Sequence, residues 1–224
     1  MQLGEGKWKD FFAVCDEPDE ISLTRPFYPR VSREGVEQQS LIRKLGVGSI
    51  IDLLRLCDLG GGGRRQACSI FWTLGANAVG KAAIAGWQEL VIPALGDADN
   101  RTRIWPFDGK LDSLLASGGI VLAETYPAEY YKWFVPRGVT KASPESRKEF
   151  GSGLAQWVRG HEEQITASDE LMAEINSGFV DDDRFDAVVG LLAMLKILFR
   201  EQSAGEPTNP DCRTVEGWML GRSK

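Results

Sequence analysis

The stretch Gly119-Ile-Val-Leu-Ala-Glu124-Thr-Tyr-Pro-Ala-Glu129-Tyr-Tyr-Lys-Trp-Phe134 decides how the fold is interpreted. Ile120 to Ala123 form a continuous apolar run, which is typical of a strand buried on both faces. Glu124 ends this run, and Pro127 stands where a helix would begin. An acid at such a strand end is a frequent place for chemistry in α/β proteins, although it also often serves only as a local cap. Glu124 therefore indicates a site only if partners come from elsewhere in the chain.

The composition of the 224-residue chain is that of a globular protein, with 43% hydrophobic and 26% charged residues. The formal net charge of -6 excludes a global basic field for nucleic acid. Four cysteines without a C-x-x-C spacing and a single histidine argue against a zinc site. That histidine, His161, lies in a polar run, which predicts a solvated surface position. Because the chain shows neither a membrane-span pattern nor a signal-peptide pattern, we expect a cytoplasmic protein without a membrane partner.

The rest of the chain predicts one helix-rich α/β domain over residues 1–224, since no repeat and no clean linker divides it. Residues 1–32 are polar and interrupted by prolines, which indicates an irregular N-terminal segment. The strongest helix pattern runs from Val180 to Arg200. Further helices are predicted for Glu145 to Arg159 and for Ser168 to Asn176.

The segment Gly75-Ala-Asn-Ala-Val-Gly80-Lys81-Ala82 fits the spacing of a phosphate-binding loop. Position 82 is alanine, however, where such loops carry the Ser or Thr that holds Mg²⁺. A nucleotide-hydrolysing loop is therefore disfavoured. Two interpretations remain open: an anion contact through Lys81 at the helix start, or a glycine turn that lets a helix pack closely.

The stronger candidate is Asp181-Asp-Asp-Arg-Phe-Asp186-Ala-Val-Val-Gly190, at the start of the helix predicted over 180–200. Its core stripe consists of Phe185, Val188, Leu192, Leu195 and Phe199. Asp183, Asp186 and Gly190 share another face. The acids at 181–183 are explained by the positive end of the helix dipole, but Asp186 lies a turn further inside, where that effect fades. Small neighbours around Asp186 would let a sheet edge come close.

Glu124 and Asp186 together suggest a carboxylate metal site. Mg²⁺ and Mn²⁺ prefer hard oxygen ligands, which acids converging from a strand end and a helix supply. Such a site can hold a phosphodiester and generate a hydroxide.

Several blocks of the chain resemble the domain-of-unknown-function 429 family, whose members are predicted to be RNase H-like nucleases. The blocks are Phe71 to Trp87, Arg103-Ile-Trp-Pro-Phe-Asp-Gly109, Ala123-Glu-Thr-Tyr-Pro-Ala-Glu129 and Phe185-Asp-Ala-Val-Val-Gly-Leu191. The resemblance implies an RNase H-like mixed sheet flanked by helices, with acids on the first strand, a later strand and a C-terminal helix. Glu124 matches the later-strand acid and Asp186 the helix acid, with Asp183, and secondarily Asp182, as auxiliary acids.

The chain departs from this family at its start. The family's first strands, with a G-[IVF]-D-like segment, have no counterpart before Lys7, so the first-strand aspartate is missing and the fold is expected to be N-terminally incomplete. A central strand without its sheet neighbours would expose backbone edges, which pairing with a second copy would cover.

The first functional hypothesis is an RNase H-like, Mg²⁺- or Mn²⁺-dependent nuclease with Glu124 and Asp186 as catalytic residues. The metal ligands would be Glu124, Asp183 and Asp186, while Lys81 and Arg103 would contact phosphate. The alternative is a non-catalytic binding or interaction protein on the same scaffold. A P-loop enzyme is the third and weakest hypothesis. Nucleic acid and a homo-oligomeric partner are compatible with the first two.

Overall fold

The computed structural model describes residues 11–15, 17–27, 38–60, 66–73, 79–97, 99, 101–135, 141 and 143–222. The chain divides into a first unit, Met1–Leu122 with Pro207–Trp218, and a second unit, Ala123–Glu206 with Met219–Lys224. The described residues are mainly helical and include a two-stranded parallel sheet, which confirms the helix-rich α/β character. The RNase H-like fold and the single-domain organisation stay predictions.

The first unit contains short helices and the parallel strand pair. Its α-helices are α1 (Gln38–Leu45), α2 (Val79–Gly86), α3 (Ile92–Gly96) and α4 (Leu111–Ala116). Single-turn helices span Pro18–Glu20 and Ile50–Leu53, and π-helical turns span Trp87–Val91 and Cys212–Glu216. Strands β1 (Arg103–Ile104) and β2 (Val121–Leu122) pair in parallel, with Arg103 opposite Val121.

The apolar run at Ile120 does not form the fully buried strand expected from its sequence. Ile120 is 42% exposed, and Val121 and Leu122 are only half-buried. That prediction was wrong because β1 is the only strand paired with β2 among the described residues, so no wide sheet encloses the run. The chain continues from β2 into an isolated parallel bridge between Glu124 and Met219.

The second unit is built from helices whose starts are set by local capping. Its helices are α5 (Pro127–Tyr130), followed by a 3-10 turn (Tyr131–Trp133), α6 (Pro144–Arg159), α7 (Asp169–Ser177) and α8 (Asp182–Leu198). Side chains of Ser143, Ser168 and Asp181 accept hydrogen bonds from the backbone N–H groups three residues ahead. The helices predicted from sequence are thus confirmed to within two residues. Among the described residues, no helix combines the length and apolar composition needed to span a bilayer.

The core of the second unit lies where α6, α7 and α8 meet. Phe150 of α6 and Phe185 of α8 are fully buried and pack edge to face, with ring centroids 5.0 Å apart. Helices α6 and α7 pack closely at Gly151, where an added Cβ would clash with the carbonyl oxygen of Ile175. The close approach therefore requires glycine at position 151.

Gly151→Ala tests this contact. We expect the added methyl group to push α6 and α7 apart and lower the free energy of unfolding by about 1–3 kcal/mol, measured by urea denaturation. Gly86→Ala in α2 is the matched control, because nothing lies within 4 Å of a Cβ there. That change should be neutral or stabilising by up to about 1 kcal/mol. Equal destabilisation by both changes would contradict the close-packing explanation.

Candidate functional site

Asp186 of α8 is held by side chains from two other elements. Its Oδ1 accepts a hydrogen bond of 2.5 Å from the hydroxyl of Tyr131, in the 3-10 turn after α5. Its Oδ2 accepts one of 2.6 Å from Nζ of Lys141, which precedes α6. The Asp186 side chain is 24% exposed, so the carboxylate is largely withdrawn from water but still reachable. Asp186 is thus a point where three segments of the second unit converge.

Asp182 joins the same ammonium group. Its Oδ2 lies 3.1 Å from Nζ of Lys141, so two carboxylates one helical turn apart converge on a single cation. Burial by itself lowers the pKa of Lys141, but the hydrogen bonds to Asp186 and Asp182 outweigh this and raise it above its usual value. The Lys141 hydrogen bond likewise holds the pKa of Asp182 below its usual range. Lys141 and Asp182 are therefore both charged at neutral pH.

The backbone of Lys141 is fixed by Arg147 of α6. The Arg147 guanidinium is buried, and its Nη1 donates to the carbonyl oxygen of Lys141 at 2.8 Å. Its Nε donates to the carbonyl oxygen of Gly178, the residue that ends α7, at 3.0 Å. Because the Arg147 side chain is itself buried, these bonds fix the position of the Lys141 carbonyl group.

The segment that carries Glu124 packs on the same face of α8. The Glu124 carbonyl oxygen accepts a hydrogen bond of 2.8 Å from the N–H of Leu220, while its side chain is exposed. The next residue, Thr125, contacts α8 at Gly190: a Cβ there would lie 3.7 Å from Thr125 Oγ1. Gly190 is one turn beyond Asp186, so this contact places Thr125 on the same side of α8 as Asp186.

The remaining residues predicted from sequence lie elsewhere. Asp183 is exposed in the first turn of α8, and the acid that shares Lys141 with Asp186 is Asp182. Lys81 on α2 and Arg103 on β1 are exposed residues of the first unit. Nη1 of Arg103 donates to the carbonyl oxygen of Thr102. The middle of the glycine turn, residues 74–78, lies outside the described residues.

Sequence reasoning missed Lys141 and Tyr131 as site residues. Lys141 is 45 residues from Asp186 along the chain, and no local pattern joins them. The i, i+4 spacing of Asp182 and Asp186 was the available signal, because it places two carboxylates where one cation can bridge them. Among the described residues, no group of three or more His, Cys, Asp and Glu side chains is placed to hold a metal ion.

The surface position predicted for His161 was wrong. Its ring stacks on Trp157 with centroids 4.2 Å apart and on Phe199 at 5.5 Å. Its Nδ1 lies 2.8 Å from the Trp157 carbonyl oxygen and its Nε2 lies 2.5 Å from Glu201 Oε1. The polar residues next to His161 in the sequence do not indicate its contacts with Phe199 and Glu201, which follow α8 in the chain. His161 is therefore part of the packing in the second unit.

Comparisons with known proteins returned no match among protein-family models, curated proteins or solved structures. The likeness to the RNase H-like family therefore stays a hypothesis that rests on the sequence blocks quoted above. The contacts of the candidate site are the remaining evidence on function.

Asp186→Asn tests the electrostatics of the site through Tyr131. Burial, followed by the hydrogen bond to Asp186, raises the pKa of Tyr131 above its usual range. A neutral amide stabilises the protonated phenol less, so the pKa of Tyr131 should fall towards its usual value. NMR titration of ring-labelled tyrosine measures it, with Tyr131→Phe identifying the resonance. An unchanged pKa would mean that Asp186 does not hold the phenol.

Glu201→Gln tests the packing around His161. Oε2 of Glu201 accepts hydrogen bonds from buried Lys196 at 2.7 Å and from Trp157 Nε1 at 2.9 Å. Burial opposes ionisation of Glu201, but these bonds outweigh it and lower its pKa. We expect the neutral variant to lose about 1–3 kcal/mol of unfolding free energy at pH 7, measured by urea denaturation.

The pH dependence supplies the control for this variant. A carboxyl whose pKa is lowered by folding stabilises the protein above its unfolded pKa, about 4.3, and loses that contribution as pH falls through the folded pKa. The difference between wild type and Glu201→Gln should therefore shrink on acidification below about pH 4. A difference that is constant with pH would contradict an ionic role for Glu201.

Proposed function

We propose that the chain is an RNase H-like, metal-dependent phosphodiester hydrolase that acts on nucleic acid, with Asp186 and Glu124 as its catalytic carboxylates. One observation carries the proposal: the carboxylates of Asp182 and Asp186 converge on a single cationic group, with oxygen–nitrogen distances of 3.1 and 2.6 Å. A pair of acids arranged around one cation offers the hard oxygen ligands that Mg²⁺ and Mn²⁺ prefer.

The residues at this site fit Mg²⁺ or Mn²⁺. Mg²⁺ usually keeps several waters and takes only one or two protein carboxylates together with substrate phosphates, so two acids suffice. Asp186 and Asp182 would hold the ion, and Glu124 would act as the second catalytic carboxylate, on the segment whose Thr125 packs against Gly190 of α8. Asp183 keeps the auxiliary role expected from sequence. A bound ion of this kind polarises a phosphodiester and lowers the pKa of attacking water.

The other side chains orient the carboxylates and offer positive charge. Tyr131 donates to Oδ1 of Asp186 and so fixes the orientation of the carboxylate, leaving Oδ2 for a cation. Lys141 supplies an ammonium group beside the acids, suited to a phosphate oxygen. It is better supported as a phosphate contact than Lys81 or Arg103, because its described contacts lie at the carboxylates themselves.

A second candidate is a protein that binds metal and nucleic acid without cleaving it. It is favoured by the small number of acids: within the described part of the chain, the acids that contact Lys141 are Asp182 and Asp186. Two-metal hydrolysis uses more carboxylates than this, whereas binding through one ion does not.

The decisive test incubates the full chain with Mg²⁺ or Mn²⁺ and labelled single- and double-stranded DNA and RNA, and measures cleavage. Asp186→Asn should abolish cleavage and weaken Mn²⁺ binding, measured by calorimetry, by about tenfold or more, because a charged ligand is lost. Asp169→Asn is the matched control: it removes an exposed first-turn acid of α7 and should change neither quantity.

Each outcome separates the candidates. Metal binding with nucleic-acid binding but no cleavage favours the non-cleaving protein. Cleavage that survives Asp186→Asn, or equal losses in Asp186→Asn and Asp169→Asn, overturns the assignment of this site. Testing Asp183→Asn alongside them shows whether the exposed acid takes part.

A further inference from the structure

We infer that Lys141 is a built-in competitor of the divalent metal: its ammonium group occupies the position between Asp182 and Asp186 and must leave when the metal binds. The inference rests on the proposed function, because it concerns the same two carboxylates. It adds a residue that controls how tightly the site holds its ion.

The geometry makes the two cations mutually exclusive. Nζ of Lys141 lies 2.6 Å from Asp186 Oδ2 and 3.1 Å from Asp182 Oδ2. A metal held by the same two oxygens would need the space between the acids that the ammonium group now occupies. Like charges at such a separation repel strongly, so the site holds one cation or the other.

The surroundings fix Asp186 and the Lys141 carbonyl group but not the ammonium group. The two carboxylates are carried on α8, and Tyr131 holds the far oxygen of Asp186. The Lys141 backbone is anchored by buried Arg147. The Lys141 side chain, in contrast, is 38% exposed and ends a flexible four-carbon stem. Exchange of cations therefore requires only a rotamer change of one side chain.

The competing explanation is that Lys141 is a structural clamp joining its segment to α8. A clamp would also form both ion pairs, but its removal would loosen the carboxylates and leave metal affinity unchanged or weaker. Competition instead predicts that removing the Lys141 ammonium group makes metal binding tighter. The sign of the affinity change therefore decides between the two.

The experiment measures Mn²⁺ affinity of the full chain by calorimetry for wild type, Lys141→Met and Lys132→Met. Lys132 is an exposed lysine in the turn next to Tyr131, so its removal makes the same change in net charge without touching the site. Competition predicts that Mn²⁺ binds about three- to tenfold tighter to Lys141→Met, the range that one partly exposed ion pair supplies. Lys132→Met should stay within about twofold of wild type.

A second measurement covers the case in which Lys141→Met fails to fold. Acetylation of Lys141 in the wild-type chain, followed by mass spectrometry, should become faster on adding saturating Mg²⁺, while Lys132 should not change. Equal or weaker Mn²⁺ binding in a folded Lys141→Met, or unchanged Lys141 acetylation with Mg²⁺ bound, overturns the inference and leaves the proposed function standing. Absence of Mn²⁺ binding in wild type and variants alike overturns both.

Discussion

The bridge from Asp186 to Lys141 and Tyr131 is the interaction on which the polar side of the second unit depends. A carboxylate withdrawn from water has to be paired, or its desolvation destabilises the fold. Asp186 meets this requirement with one charged and one neutral donor, from segments 45 and 55 residues away. Those two bonds hold Tyr131, in the turn after α5, and Lys141 against α8. Arg147 extends the same network to the end of α7.

Helix α8 carries a second paired charge near its C-terminal end. Lys196 is buried among Phe134 and Trp157, with its Nζ 5.4 and 5.2 Å from the ring centroids. Glu201 neutralises it from just beyond the helix. Between these two paired charges, Val189, Leu192 and Ala193 supply the apolar contacts. The helix is therefore located by burial in its middle and oriented by one charged residue near each end, since ion pairs are directional where apolar contacts are not.

The sequence predicts those parts of this arrangement that depend on neighbours along the chain. The limits of α8 follow from the cap at Asp181 and the apolar periodicity, and the starts of α6 and α7 follow from Ser143 and Ser168. The burial of Ile120 could not be predicted, because it depends on how many strands pair beside it. The contact between Lys141 and α8 could not be predicted for the same reason, because it depends on the tertiary fold.

The choice between Asp182 and Asp183 shows why the local pattern was insufficient and what the site's charge implies. Both acids suit the helix N-terminus, so the dipole does not distinguish them. The ion pair with Lys141 distinguishes the two acids, because Lys141 contacts Asp182. With Arg147, which also lowers the pKa of Asp182, two carboxylates and two cations balance in charge. If a divalent ion replaced the Lys141 ammonium group between the two acids, the ion, Arg147 and the two carboxylates would carry an excess of one positive charge. This excess, together with the released ammonium group, would suit a phosphodiester anion, so the proposed reaction favours metal binding before substrate binding.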